Sequence, residues 1–100
     1  MLISLAEHRR MRKSGHVTIP SIFRKELNIQ DGDVLMIKES PKGIVMKRAV
    51  EEHSYNESIV SNNGKVNIPI EIRRNLKIGQ TTDFKIKMNK NKKEVIFTIY

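Results

Sequence analysis

Apolar positions follow two rhythms along the chain, and the order in which the rhythms come occurs twice. From Leu2 to Arg12, Ile3 and Leu5 share one face of a period-two alternation before the charged run His8, Arg9, Arg10 and Arg12, which predicts a strand whose far end is solvated and basic. Ser14-Gly15 is a turn signal, and Val17-Thr18-Ile19 resumes extended structure up to Pro20. Proline fits the first turn of a helix, where no amide donor is missed, so Pro20 is expected to open a short helix through Leu27. Phe23 and Leu27, four residues apart, would face a core and leave Arg24 and Lys25 outward. Asn28 to Gly32 ends the helix, and Asp31-Gly32-Asp33 turns the chain into a strand over Val34–Ile37. Ser40-Pro41-Lys42-Gly43 is a hairpin turn, and Ile44–Lys47 the returning strand.

The series then repeats, from a strand at Ser58–Ser61 through a turn at Asn62-Asn63-Gly64 and a strand at Lys65–Ile68. A helix opened by Pro69 has Ile72 and Leu76 inward, and strands follow at Asp83–Lys87 and Val95–Ile99. With an offset of 49, Gly15–Lys38 aligns without a gap on Gly64–Lys87, and nine of the 24 paired positions are identical. This is a tandem duplication, with residues 1–50 and 51–100 as its two copies. Changes concentrate at loops: Gly32-Asp33 becomes Thr81-Thr82, and the Pro41–Gly43 hairpin becomes the longer run Asn89–Lys93. Two independent fifty-residue domains would each lack buried area, so both repeats are expected to share one core, mainly β with short helices. Ala49–Tyr55, which joins the copies, is not rich in Gly, Pro or Ser and does not read as a flexible linker.

Charge changes the picture most. The 100 residues carry 19 Lys and Arg against 11 Asp and Glu, a net charge of +8 with a pI near 10. The first half has ten basic residues against five acids and the second nine against six, so both copies are basic. Such an excess favours a polyanion. No segment pairs a broad apolar helical face with a basic one, and no apolar run approaches a membrane span, so no membrane is expected as partner. Cysteine is absent, which excludes disulfides and thiolate zinc sites. In MLISLAEHRR the charges follow the apolar segment, the reverse of a secretory signal, so an intracellular, cytoplasmic protein is expected.

Catalytic chemistry finds little support. No nucleophile stands near a base and no carboxylates are suitably paired, so an enzyme is not expected. His8, His16 and His53 lie in separate segments and read as surface or phosphate-facing residues, not metal ligands. No phosphate-cradling glycine motif occurs and no cofactor is expected. The basic clusters remain: Arg9, Arg10, Arg12 and Lys13 lead into the glycine turn, and Arg24-Lys25 and Arg73-Arg74 hold equivalent helical positions in the two copies. In a strand, His16 and Thr18 lie opposite Val17 and Ile19, as do Lys65 and Asn67 in the second copy, and stay available to a ligand. Lys90, Lys92 and Lys93 read as a solvated hairpin tip.

Gly15-His16-Val17-Thr18-Ile19-Pro20, then Arg24-Lys25, Leu27-Asn28-Ile29, Gly32-Asp33 and Leu35–Ile37, resembles the SpoVT-AbrB family of looped-hinge, swapped-hairpin DNA-binding domains. The second copy matches through Gly64–Pro69, Arg73-Arg74 and Leu76–Ile78 but lacks Gly-Asp. The resemblance implies a swapped-hairpin β-barrel built by the two tandem copies as an intrachain pseudo-dimer, with further pairing into a homodimer open to it. It also implies a transcriptional regulator that contacts duplex DNA, in the cytoplasm and on the nucleoid, through Arg9, His16, Arg24 and Lys25 of the first copy and Lys65, Arg73 and Arg74 of the second. Arg10, Arg12 and Lys13 complete the expected DNA-binding set. Two positions depart from the family pattern: the basic residue after the glycine is His16 in the first copy, and Ser58 stands at the equivalent of Arg9. The alternative from the same family is an antitoxin-like module that binds a toxin partner. The last predicted strand runs to the end of the sequence given, so an appended toxin-binding tail is not expected.

Overall fold

Two prolines and two left-handed residues bound the helices. Pro20 (φ −54°, ψ 143°) and Pro69 (φ −52°, ψ 142°) sit one residue before the first turn rather than in it, and Asn28 (φ 54°) and Lys77 (φ 56°) end the last turns in the left-handed region. The amides after these residues fold back, Ile29 N–H onto the Arg24 carbonyl at 2.8 Å and Ile78 N–H onto that of Arg73 at 3.0 Å, which satisfies carbonyls a helix end leaves open. The computed structural model describes residues 2–12, 14–49 and 56–99, and for 2–9 the backbone alone. In chain order the elements are β1 (Leu2–Arg10), β2 (His16–Thr18), α1 (Ser21–Leu27), β3 (Val34–Ser40), β4 (Gly43–Arg48), β5 (Asn56–Ile59), β6 (Lys65–Asn67), α2 (Ile70–Leu76), β7 (Asp83–Asn89) and β8 (Glu94–Ile99). A 3-10 turn over Asn62–Gly64 precedes β6. The protein is mainly β with two short helices, and no described helix is long and apolar enough to cross a membrane.

All described strand pairs are antiparallel, in a six-stranded sheet ordered β1-β7-β8-β4-β3-β5 and a two-stranded ribbon of β2 and β6. The hairpins β3–β4 and β7–β8 each belong to one repeat. Every other ladder crosses between repeats: β1 runs along β7, β5 along β3, β4 along β8 and β2 along β6. The first strand of each repeat thus pairs with the hairpin of the other.

The expected closed barrel is not what the hydrogen bonds draw. β1 and β5 are the two edges of the sheet and are not paired with each other. The ribbon lies between them, β2 against β1 and β6 against β5, so the gap is filled by packing rather than by a ladder. One apolar core lies beneath. Leu35, Ile37, Ile44 and Met46 from the first repeat meet Ile86 and Met88 from the second, all within 1% of fully buried. Phe84 and Phe97 stack edge to face there, with centroids 5.7 Å apart and planes at 89°. Phe23 and Ile72 close the core from the helices, whereas Leu76, expected inward, is only partly covered.

Candidate functional site

The β2–β6 ribbon brings half of the expected site residues together. Its register sets His16 opposite Asn67, Val17 opposite Val66 and Thr18 opposite Lys65. Because side chains alternate along a strand, Val17 and Val66 point into the core, 1% and 0% exposed, and the other four share the outer face, half-buried. The His16 ring is tied through Nδ1 to the Ser14 hydroxyl at 2.8 Å, and Asn67 donates through Nδ2 to the Ser14 carbonyl at 3.4 Å. These bonds fix side chains of both repeats to the same glycine turn.

Arg24 and Arg73 flank this face, but not as the expected outward pair. Both are half-buried. Arg24 donates through Nε to the Ile19 carbonyl at 3.0 Å and lies over Gly64 of the other repeat; Arg73 donates to the Ile68 carbonyl at 2.8 Å and lies over Gly15. A Cβ at Gly15 would stand 2.7 Å from the Arg73 Cζ, and at Gly64 2.9 Å from the Arg24 Cζ, so the two glycines serve both their positive φ (85° and 77°) and this close approach. The same crossings are closed by backbone bonds, Ile19 N–H to the Gly64 carbonyl and Ile68 N–H to that of Gly15, each 2.9 Å. Gly15 and Gly64 are four residues apart along the ribbon, which separates the two guanidinium groups by about 13 Å at ~3.3 Å per residue.

The helical pairs therefore divide. Lys25 and Arg74 are exposed, without an ion pair among the described residues, while Arg24 and Arg73 brace the crossings. Arg12 is exposed where the chain enters the ribbon, its amide donating to the His16 carbonyl at 2.8 Å. Arg10 is engaged: its Nε and Nη2 reach the two Asp83 oxygens at 2.9 and 3.2 Å. The hydrogen bond to Asp83, and next its charge, push the guanidinium further above its ordinary value, so Arg10 stays cationic with its field offset. Lys13, His53 and the side chains of Arg9 and His8 fall outside what the structure describes.

Two features escape the sequence reading. The hairpin tip is exposed, as expected, but it is also anchored, with the Lys90 Nζ 3.1 Å from the Glu26 carboxylate. Arg48 donates to the Asn28 carbonyl and the Asp33 carboxylate, the latter at 2.9 Å, and so joins β4 to the turns around α1. Both links span long stretches of sequence, and no local pattern signals them.

No family model matches the chain, and no curated protein matches it. Among solved structures it is similar to the solution structure of PHS018 from Pyrococcus horikoshii, with a TM-score of 0.56 and 26% identity over 97% of this chain and 94% of that one.

Proposed function

We propose that the chain binds duplex DNA as a transcriptional regulator of the SpoVT-AbrB type, with the β2–β6 ribbon as its reading element. The observation that carries this is the outer face of the ribbon. His16, Thr18, Lys65 and Asn67, drawn equally from both repeats, lie side by side there with an arginine at each end. The major groove, about 12 Å wide, admits a two-stranded β-ribbon. Guanidinium groups about 13 Å apart would then lie at opposite walls, each close to a phosphate strand. A net charge of +8 supports the partner. Arg12, Lys25, Lys65 and Arg74 would supply phosphate contacts, and Thr18 and Asn67, with a donor or acceptor and no full charge, would meet base edges.

The cross-pairing of the repeats supports the finer fold reading: a swapped-hairpin exchange within one chain, an intrachain pseudo-dimer whose barrel is completed by the packed ribbon. Its halves are unequal. His16 and Lys65 occupy equivalent positions, so a site read by them would itself be asymmetric. Such a protein would work on the nucleoid in the cytoplasm.

The test is a salt titration of duplex binding by fluorescence anisotropy. With about five phosphates neutralised, log affinity falls against log salt with a slope near −4 to −5. An Arg12→Gln, Lys65→Gln double variant lowers the magnitude of that slope by about 2. A flat salt response, or an unchanged slope in a folded double variant, overturns the proposal.

A further inference from the structure

The two hairpin tips differ, and a cavity lies beside the longer one. β3 and β4 are joined by Pro41 and Lys42, whereas β7 and β8 are joined by the four residues Lys90–Lys93. The longer tip folds toward the end of α1, held by the Lys90–Glu26 ion pair at 3.1 Å, with the Lys93 amide turned back to the Lys90 carbonyl at 3.3 Å. Lys93 takes a left-handed φ of 54°, a conformation that glycine or asparagine adopts at lower cost. On the other side Arg48, held by the Asn28 carbonyl and Asp33, forms a wall. Between them lies a cavity of about 380 Å³.

Its lining combines an apolar patch with surplus positive charge. Leu27 and Ile29, each 8% exposed, supply the apolar part. Lys47, Arg48, Lys90 and Lys93 line it as well, against one lining carboxylate, Glu26. Arg48 and Lys90 are matched by Asp33 and Glu26. Lys47 and Lys93 have no side-chain ion pair or hydrogen bond among the described residues, although Glu94 stands opposite Lys47 in the β4–β8 register. Two uncompensated cations therefore remain beside an apolar surface. In the other repeat the equivalents of Lys47 and Arg48 are Thr98 and Ile99, and Asn75 hydrogen-bonds Glu39 at 3.4 Å where Glu26 pairs with Lys90. Shared ancestry alone would have given both ends the same lining.

We propose that this cavity binds a small amphipathic carboxylate, with the apolar body against Leu27 and Ile29 and the head group between Lys47 and Lys93. Close-packed organic matter at ~20–30 Å³ per heavy atom sets an upper bound on the ligand of roughly 13–19 heavy atoms, within the range of small-molecule sites. The site is separate from the ribbon and does not depend on duplex binding.

The test uses octanoate on the full chain, followed by amide chemical shifts, with octanol, octylamine and inorganic phosphate as comparison ligands. Octanoate gives saturable shifts at Glu26–Ile29, Lys47, Arg48 and Lys90–Lys93, and binds about tenfold tighter than octanol, the discrimination a charge-assisted contact supplies. Octylamine and inorganic phosphate bind more weakly still, the one because its ammonium group is repelled by Lys47 and Lys93, the other because it has no apolar body. A Lys47→Gln, Lys93→Gln double variant reduces octanoate to the affinity of octanol, and Lys92→Gln, which does not line the cavity, leaves it unchanged. Equal affinity for octanoate and octanol, shifts centred elsewhere, or a folded double variant that binds octanoate as the wild type does would overturn the site.

Discussion

Arg24 and Arg73 are the residues that a reading from charge alone assigns to DNA, and the structure gives them a bracing duty whose size can be worked out. Each Nε donates to a carbonyl, Ile19 at 3.0 Å and Ile68 at 2.8 Å, in residues that are fully buried. Substitution by alanine removes a charge-assisted donor and uncovers a glycine of the other repeat. A buried carbonyl left without a partner costs about 1–3 kcal/mol, and because both arginines are partly exposed, water replaces some of the lost bond and the lower end applies, about 1 kcal/mol per site. The two sites are about 13 Å apart and share no partner, so their effects add, to about 2 kcal/mol for the Arg24→Ala, Arg73→Ala double variant. For a chain of this size that lowers Tm by roughly 8–16 °C.

The control removes the same charge from the same helices. Lys25→Ala with Arg74→Ala takes away two exposed cations that brace nothing, and total stability changes by less than about 0.5 kcal/mol. Urea unfolding at constant m compares the pairs. If the arginine pair costs no more than the lysine-arginine control, the bracing role is wrong and the carbonyl bonds contribute nothing. Under conditions where all variants are folded, duplex binding then reads the functional share separately. Arg24→Lys with Arg73→Lys keeps the charge but not the Nε geometry, and should retain most of the binding while losing most of the 2 kcal/mol.

Four further outcomes follow from named positions. A Cβ at Gly43 would overlap the Phe97 carbonyl oxygen across the β4–β8 seam, so Gly43→Ala should destabilise by about 3 kcal/mol or more in a urea melt. Gly79 has nothing within 4 Å of a Cβ and no positive φ, so Gly79→Ala should be neutral or stabilising by about 0.5 kcal/mol. Lys77 holds a left-handed helix end where the first repeat has Asn28, and Lys77→Gly should raise stability by about 0.5–1 kcal/mol; a loss would mean that the Lys77 side chain makes a contact of its own. Because four ladders cross between the repeats, calorimetry should give one cooperative transition, with calorimetric and van't Hoff enthalpies equal.

What was legible in the sequence was whatever depends on near neighbours. Alternation gave most of the strands, although the one expected at Ser58–Ser61 lies at Asn56–Ile59; Pro20 and Pro69 marked the helix starts to within a residue, and the duplication implied a single core. The faces of β2 and β6 were readable too, because His16 and Lys65 each precede a valine that must be buried. Partnership was not readable. An outward position on a short helix looks the same whether the side chain ends in water, as with Arg74, or curls over a glycine 58 residues away, as with Arg73 over Gly15. Only the glycines carry a trace of that difference. A positive φ accounts for glycine at both turns, yet asparagine, which takes such angles at Asn28 and Asn63, appears at neither. The reason is the guanidinium that occupies the space where a Cβ would stand. The glycine-to-arginine spacing in this chain is thus one feature seen from two sides: Gly15 with Arg73 and Gly64 with Arg24 are pairs across the repeats, and either member changed alone should disturb the crossing between them.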